Sequence, residues 1–223
     1  MLNEMMHRPI INPDILNYLR DNQRQLDGKL ADLENYAHEK GVPVIPHETV
    51  VFLKFLLQQK QPKDILEIGT AIGFSASLMA ETVPEAKVTT IDRFEIMINQ
   101  AKETFEKMNL TDRVTLLEGD AADVLKTLDG PYDFIFMDSA KAKYITFLPE
   151  CLRLLSDTGI LMVDDIFQAG TVLQPIEEIP RKNRSIHRHL NEFLKEVNES
   201  PELNATLLPL GDGVALISKN IAK

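Results

Sequence analysis

The sequence contains a single cysteine, Cys151, so no disulfide bond can form within the chain. Leucines and Phe147 surround this cysteine at helical spacing, which favours a place in the hydrophobic core over a role as a nucleophile. Repeats, low-complexity segments and Ser/Gly-rich linkers are absent as well. For a chain of 223 residues, these absences predict a single domain over 1–223.

Long apolar runs and a secretory signal are also missing. No run approaches the roughly 18 apolar residues that a membrane-spanning helix needs. The first residues, MLNEMMHRPIINPDI, lack a basic stretch followed by a continuous apolar one. The sequence therefore predicts a cytoplasmic protein with no membrane partner.

Positive charge is scarce, because 24 Lys and Arg stand against 34 Asp and Glu and give a formal net charge of -10. Affinity for phosphate backbones comes largely from Lys and Arg, so this balance argues against general, charge-driven binding of nucleic acids. It leaves room for a local basic patch.

Beyond these absences, the chain alternates between helical patterns and short apolar runs. Apolar residues at helical spacing over 12–40 and 47–60 predict N-terminal helices. Five apolar runs follow: DILEIG, KVTTID, RVTLLEG, YDFIFMD and GILMVDD. Helices are predicted between and after them, from about 74 and over 94–108, 121–128, 143–155 and 181–199. Strands that alternate with helices are typical of parallel βαβ units.

The end of the chain departs from this alternation. Two apolar runs are joined there by Gly211, Asp212 and Gly213, which is a hairpin signal. The expected fold is therefore α/β, with a doubly wound, seven-stranded sheet of five parallel strands plus a C-terminal antiparallel hairpin. Ligands of such sheets bind at the carboxyl ends of the strands.

The loop EIGTAIGFS after the first strand has Ala71 where the dinucleotide fingerprint needs its middle glycine, which disfavours a pyrophosphate ligand. Glu67 can accept a hydrogen bond from an ammonium group, Asp92 can accept both hydroxyls of a ribose, and the segment 119–121 can meet an adenine edge. Each residue alone is explained equally well by a turn or a helix cap. Together, in order on consecutive strands, they favour S-adenosylmethionine.

Three carboxylates stand at the ends of the fourth and fifth strands: Asp138, Asp164 and Asp165. Carboxylates this close repel one another unless a cation lies between them, although N-capping of a helix is an alternative role for Asp138. Hard oxygen ligands without His or Cys favour Mg²⁺, with Mn²⁺ or Ca²⁺ possible. Lys141 lies about one helical turn beyond Asp138, so that both side chains can face the site and the lysine can act as a general base.

The motifs ILEIGTAIGFSASLMA, IDRF, EGDAADVL, YDFIFMDSAKAKY and GILMVDD resemble those of the class I, metal-dependent O-methyltransferases of the catechol and caffeoyl-CoA type. The similarity is greatest to the bacterial branch that includes the tRNA 5-hydroxyuridine methyltransferase, through VPVIP, KQPKDILEIGTAIGFSA and LLPLGDGVALISK. The resemblance implies a Rossmann-like fold, a homodimer, an N-terminal helical segment over 1–60 and a catalytic α/β core over 61–223.

The same resemblance implies roles for individual residues. Lys141 and Asp138 would be catalytic, and Asp138, Asp164 and Asp165 would bind the metal. The implied contacts with S-adenosylmethionine are Ile45, Glu67, Gly69, Ser75, Asp92, Gly119, Asp120, Ala121 and Asp138. Asp165 departs from the pattern, since the family commonly has Asn there. A third carboxylate should strengthen cation binding and weaken the Lewis acidity of the cation, unless Asp165 stays protonated and imitates Asn.

The acceptor must offer two neighbouring oxygens, as a catechol does and as 5-hydroxyuridine does through its 5-hydroxyl and O4. The stretch RKNRSIHRHL is basic and free of acids, and its candidate contacts for the anticodon region of tRNA are Arg181, Lys182, Arg184 and Arg188. An ordinary solvated helix face explains this stretch equally well. The loop 166–180 has no aromatic residue except Phe167, which favours a larger acceptor over a tightly caged phenol.

The sequence thus favours methylation of 5-hydroxyuridine to 5-methoxyuridine at the wobble position of tRNA. The alternative is a small-molecule catechol or phenylpropanoid O-methyltransferase. A non-catalytic binding module is a third possibility, but the presence of Asp138, Lys141 and Asp164 argues against it.

Overall fold

The computed structural model describes residues 11–220. The outer ends of the predicted domain, 1–10 and 221–223, lie outside the described residues.

A mixed sheet of seven strands forms the centre of this described part, in the order β3-β2-β1-β4-β5-β7-β6. The strands are β1 (Asp64–Ile68), β2 (Lys87–Asp92), β3 (Val114–Glu118), β4 (Tyr132–Met137), β5 (Leu155–Val163), β6 (Leu203–Leu208) and β7 (Val214–Lys219). The first five are parallel, whereas β7 pairs antiparallel with both β5 and β6. The predicted fold class, including the C-terminal hairpin, is confirmed.

Eight α-helices flank the sheet between residues 11 and 220. They are α1 (Pro13–Asn22), α2 (Gly28–Lys40), α3 (His47–Lys60), α4 (Phe74–Thr82), α5 (Glu95–Met108), α6 (Ala121–Thr127), α7 (Tyr144–Leu154) and α8 (Arg184–Glu199). Short 3-10 helices cover Thr171–Leu173 and also lead into α7 (Lys141–Lys143) and α8 (Arg181–Asn183). The predicted helices at 143–155 and 181–199 therefore each begin with a turn of different geometry.

The N-terminal helical pattern is interrupted where the sequence predicts continuous periodicity over 12–40. The chain leaves the helical conformation between α1 and α2, and the side-chain amide of Gln25 donates hydrogen bonds to the carbonyl oxygens of Arg20 (2.7 Å) and Gln23 (3.0 Å). These bonds satisfy carbonyl groups at the end of α1 that no helical N–H reaches. Leu26 remains buried within the break, which keeps the apolar spacing that mimics one helix.

Apolar side chains cover both faces of the sheet in two clusters. Successive residues of β4 point to opposite faces: Phe134 and Phe136 join the cluster with α3, α4 and α5, whereas Ile135 and Met137 join the cluster with α7 and α8. Cys151 lies in the second cluster, and burial raises the pKa of its thiol to about 12. The prediction that Cys151 is a core residue is confirmed.

Candidate active site

A cavity of about 390 Å³ lies at the carboxyl ends of the parallel strands. The chain runs outward from β1 to β3 and then returns to place β4 on the other side of β1, so the cavity lies where the strand order reverses. Eight of the nine predicted cofactor contacts line it: Ile45, Gly69, Ser75, Asp92, Gly119, Asp120, Ala121 and Asp138. The contacts implied by the family resemblance therefore lie at the place where the topology also predicts a ligand.

The loop after β1 passes very close to the end of β4. Gly69 has a φ of +107°, and a Cβ atom added there would lie 2.0 Å from the carbonyl oxygen of Asp138. Only glycine fits this crossing, so the loop after β1 and the end of β4 can both line the cavity. Ala71, two residues later in the same loop, also has a positive φ of 46° and donates its N–H to Asp92 Oδ2 over 2.9 Å.

Asp92, at the end of β2, is held by backbone donors on both oxygens. Besides the bond from Ala71, its Oδ1 accepts the N–H groups of Arg93 (2.7 Å) and Phe94 (2.9 Å). These bonds fix the carboxylate at the wall of the cavity. Each carboxylate oxygen has more than one lone pair, so Asp92 can still accept hydroxyl groups of a ligand.

Glu67 is the one predicted cofactor contact that does not line the cavity. It is fully buried, and its two oxygens accept hydroxyl hydrogen bonds from Ser75 and Thr90, each over 2.5 Å. Burial raises the pKa of Glu67 to about 8, against the opposing effect of these two bonds. Ser75 lies between Glu67 and the cavity, and a direct bond from Glu67 to an ammonium group stays a prediction.

The opposite end of the cavity is polar and more open. Asp120 caps α6 by accepting the N–H of Ala122, and its other oxygen pairs with Arg93 over 2.8 Å. These two interactions, the backbone bond first, lower the pKa of Asp120. The Arg93 guanidinium also lies 5.0 Å from the ring centre of Phe94. Arg93 and Phe94 were not among the predicted site residues, although their position directly after Asp92 was a signal.

Asp138 and Asp164 follow neighbouring strands, and the N–H of Asp164 bonds to the carbonyl of Met137 over 3.0 Å. Burial, followed by the charge of Asp165, raises the pKa of Asp138 to about 7. Burial and the charges of Asp165 and Asp138 raise the pKa of Asp164 well above its usual value. The three carboxylates therefore act on one another, as their sequence positions predict.

Tyr144 joins the two strand ends that carry these carboxylates. Its buried hydroxyl accepts the N–H of Ser139 over 3.3 Å and donates to the carbonyl oxygen of Asp164 over 3.1 Å. The loop after β4 and the loop after β5 are thereby tied together.

The carboxylates do not form a ready three-ligand metal site. Within residues 11–220, no three Asp, Glu, His or Cys side chains are grouped so that they could hold a metal ion. Asp165 is instead paired with Lys141 over 2.7 Å. Asp138 and Asp164 nonetheless fit a divalent cation chemically, since they are hard oxygen donors whose mutual repulsion in a desolvated place a cation would relieve. The predicted ligand set stays a prediction.

Lys141 has a second carboxylate close to it besides Asp165. Its ammonium nitrogen is 2.7 Å from Asp165 and 3.8 Å from Asp212, and its side chain is 15% exposed. The sequence predicts Asp212 only as part of a hairpin turn. A carboxylate between two glycines, beside a predicted strand end, was the available signal.

The basic stretch before and within α8 is only partly free. Arg184 donates its guanidinium N–H groups to the carbonyl oxygens of Ile179 (2.9 Å) and Glu177 (3.2 Å), so it is engaged within the chain. A phosphate contact by Arg184 stays a prediction, and it would have to be made beside these two bonds. Three basic side chains of the stretch are exposed: Arg181, Lys182 and Arg188.

None of the helices between residues 11 and 220 has the length and apolar character needed to span a membrane.

The chain matches a protein family described as O-methyltransferase over residues 25–220. It is 29% identical to tapetum-specific methyltransferase 1 of Arabidopsis thaliana, over 92% of this chain and 89% of that protein. It is 28% identical to a caffeoyl-CoA O-methyltransferase of Stellaria longipes, over 73% and 70% of the two chains. The solved structure of the S-adenosylhomocysteine-bound Podospora anserina methyltransferase PaMTH1 superposes with a TM-score of 0.84 at 27% identity, covering 94% of this chain and 97% of the other.

Proposed function

We propose a small-molecule acceptor for this chain, which belongs to the O-methyltransferase family. The chain is an S-adenosylmethionine-dependent O-methyltransferase of the caffeoyl-CoA type. One observation carries the proposal for the acceptor: a relative that matches most of the chain is named for a small molecule, caffeoyl-CoA. The acceptor would present two neighbouring oxygens, as a catechol or a dihydroxy phenylpropanoid does.

The cavity offers suitable groups for each part of the cofactor. Asp92 would accept the ribose hydroxyls, and Asp120 with the backbone around it would meet the adenine. Gly69 and Ser75 would face the amino-acid end, where Glu67 lies directly behind Ser75. Asp138 lies at the wall nearest β5, which would put the methyl group close to the edge with the carboxylates.

Methyl transfer needs an oxygen nucleophile held in line with the carbon–sulfur bond of the sulfonium. Asp138 and Asp164, with Asp165 as a further ligand, would hold a divalent cation such as Mg²⁺, with Mn²⁺ or Ca²⁺ as alternatives, and the cation would lower the pKa of the acceptor hydroxyl. As the neutral amine, Lys141 Nζ would take the proton of that hydroxyl as its oxygen bonds to the methyl carbon and the carbon–sulfur bond breaks. The neighbouring carboxylates would stabilise the ammonium that forms.

Methylation of 5-hydroxyuridine in the anticodon region of tRNA is the second candidate. The exposed side chains of Arg181, Lys182 and Arg188 favour it, because they could contact phosphates. The engagement of Arg184 and the net charge of -10 weigh against it. We also propose, from the family resemblance, a homodimer that works in the cytoplasm.

The acceptor is tested by incubating the protein with methyl-labelled S-adenosylmethionine and Mg²⁺. Separate samples would contain a catechol, the matching monophenol, and tRNA whose wobble uridine carries the 5-hydroxyl but no methyl group. We expect label in the catechol and none in the monophenol, which lacks the second oxygen. Label in tRNA alone would overturn the small-molecule proposal.

The role of Lys141 is tested in the same assay with Lys141→Met. The variant keeps a long unbranched side chain but cannot take a proton, so we expect turnover to fall by about a hundredfold or more. The dissociation constant for S-adenosylhomocysteine, measured by calorimetry, should change little, since Lys141 does not line the cofactor cavity. An unchanged turnover would remove Lys141 from the mechanism.

A further inference from the structure

Asp212 is a buried carboxylate in the turn between β6 and β7, only 5% exposed. Its Oδ1 accepts the backbone N–H of Ala169 over 2.6 Å. Its Oδ2 accepts no hydrogen bond from the described residues and lies 3.8 Å from the ammonium nitrogen of Lys141. A charge removed from water needs compensation. Here the Ala169 N–H stabilises Oδ1, and the charge of Lys141 stabilises Oδ2.

The segment that Asp212 contacts has an unusual backbone. Left-handed φ values occur at Asp165 (57°), Gln168 (47°), Ala169 (54°) and Gly170 (77°), and such values are disfavoured for residues other than glycine. A conformation of this kind persists only where its surroundings impose it.

The β6–β7 turn supplies those surroundings. Besides the bond to Asp212 Oδ1, the N–H of Ile166 bonds to the carbonyl oxygen of Gly213 (3.1 Å), and the N–H of Phe167 bonds to that of Asp212 (2.9 Å). A Cβ atom on Gly213 would lie 2.2 Å from the Phe167 ring, so the two segments pack as closely as the backbone allows. The turn thereby fixes the segment that begins with Asp165.

Lys141 therefore has two carboxylate partners from different parts of the chain, at 2.7 Å and 3.8 Å. If Asp165 were its single partner, the long lysine side chain could move together with the Asp165 carboxylate. The second partner restricts the ammonium nitrogen to the space between the two. Asp212 does not line the cofactor cavity, so its effect on the reaction must pass through Lys141 and the 166–169 backbone.

We propose that Asp212 is a positioning residue for methyl transfer: it holds Lys141 Nζ and the Asp165 segment in the arrangement that the transfer requires. The proposal rests on the function proposed above. The β6–β7 turn does not need this carboxylate to reverse the chain, because Gly211 and Gly213 on either side of Asp212 already allow the reversal.

The kinetic test uses Asp212→Asn, which keeps an oxygen for the Ala169 N–H and removes the charge beside Lys141. We expect kcat to fall by about tenfold to a hundredfold, since misplacing a reacting group by about 1 Å can cost that much. The KM for S-adenosylmethionine should not change. The matched control is Asp157→Asn, which removes a carboxylate 3.6 Å from Lys219 at the other end of β5 and should leave kcat unchanged.

A second readout does not depend on activity. Brief acetylation with acetic anhydride, followed by mass spectrometry, measures how fast each lysine amine reacts. An amine that is held in ion pairs reacts more slowly than a free one. We expect Lys141 to react several-fold faster in Asp212→Asn than in the wild type, and at the wild-type rate in Asp157→Asn. If Asp212→Asn does not fold, as judged by circular dichroism, Asp212→Ser keeps a hydroxyl acceptor for Ala169 and replaces it in both measurements.

The two readouts separate the possible failures. If the wild-type protein methylates no acceptor, the proposed function fails, and the acetylation rates alone decide the role of Asp212. An unchanged rate for Lys141 overturns the positioning role in every case. An unchanged kcat in an active enzyme overturns it as well.

Discussion

Asp165 can interact with Lys141 or with the proposed divalent cation. Its being Asp, where the family commonly has Asn, determines how strongly it binds each of them. As a carboxylate it pairs with Lys141 over 2.7 Å, whereas an asparagine would offer a neutral oxygen to the same site. Within residues 11–220, Asp165 is thus engaged by Lys141, and no three side chains are grouped so that they could hold a metal ion. A cation bound by Asp138 and Asp164 would compete with Lys141 for Asp165, so one side chain links the proposed metal site to the proposed base.

We predict that Asp165→Asn retains most of its methyl-transfer activity. The amide oxygen can still bind a cation, and Lys141 keeps Asp212 as a partner. The Mg²⁺ concentration for half-maximal activity should rise by about tenfold, which corresponds to a loss of ~1.4 kcal/mol of attraction. Titration of the assay with Mg²⁺ measures both effects. Complete loss of activity at saturating Mg²⁺ would show that the carboxylate is required.

Glu67 makes stability depend on pH. Burial raises its pKa from 4.5 to about 8, so the folded protein holds this proton more tightly than the unfolded chain does. The contribution of Glu67 to stability is fully present below about pH 4.5 and is lost as the pH rises through about 8. Asp138 and Asp164 act in the same direction, because burial raises their pKa values too.

We predict that the free energy of unfolding falls between about pH 6 and about pH 8.5, and that Glu67→Gln reduces this fall by about 2–3 kcal/mol. Glutamine has nearly the same shape and carries no proton that the folded state must release. Urea unfolding without cofactor or divalent cations measures the difference. Equal pH dependence in the two proteins would mean that Glu67 titrates normally.

At the scale of elements, an ion pair links α1 to α3 beside the buried Leu16 of α1. Arg20 donates two hydrogen bonds, of 2.9 Å and 3.0 Å, to the carboxylate of Glu48 at the start of α3. The Glu48 side chain is only 1% exposed, whereas that of Arg20 is 34% exposed. The pair matters chiefly because, within residues 11–220, the buried carboxylate is paired with no cation other than Arg20.

We predict that Arg20→Met lowers the free energy of unfolding by about 1–3 kcal/mol, because it leaves Glu48 buried without its partner. The double variant Arg20→Met/Glu48→Met should recover part of this loss, since it removes the unpaired charge. Lys107→Met, which breaks an exposed pair with Glu103, is the control and should change stability by less than about 0.5 kcal/mol. Equal stability of Arg20→Met and the wild type would contradict the prediction.

The sequence was informative about elements wherever local signals mark their ends. The five parallel strands could be predicted because each apolar run stops at a polar or glycine residue before a helical pattern. The break between α1 and α2 could not, because neither Gly nor Pro stands within 23–27 and Leu26 preserves the apolar spacing. The signal there is a tertiary one, the burial of Leu26 against the core.

In the site, too, the features marked by local sequence signals could be predicted, and those that depend on tertiary contacts could not. Residues at strand ends could be placed together because parallel strands share one edge, which is how Asp138 and Asp164 were predicted to lie close to each other. The approach of Asp212 to Lys141 depends on β7 inserting between β5 and β6, and the sequence of a hairpin does not state where it docks. For the same reason, the engagement of Arg184 with backbone carbonyls could not be read from its spacing.

At the scale of the whole molecule, the reversal of strand order beside β1 gathers the site. The proposed cofactor cavity opens over β1 and β2, and the carboxylates stand at β4 and β5, so the donor and the acceptor would meet at the crossing of Gly69 over Asp138. Residues from α4, α5, α7 and several loops line this cavity. A ligand that fills it should therefore stabilise the fold as a whole.

We predict that S-adenosylhomocysteine at about a hundred times its dissociation constant stabilises the protein by ~2.7 kcal/mol, a rise in Tm of about 5–10 °C for a chain of this size. Asp92→Asn should shrink this rise, because the amide loses the charge that would hold the ribose hydroxyls. Asp112→Asn, an exposed carboxylate before β3, should keep it. Thermal unfolding with and without ligand measures all three proteins. An equal rise in Asp92→Asn would place the ribose elsewhere, since the carboxylate at the end of β2 would then contribute nothing to binding.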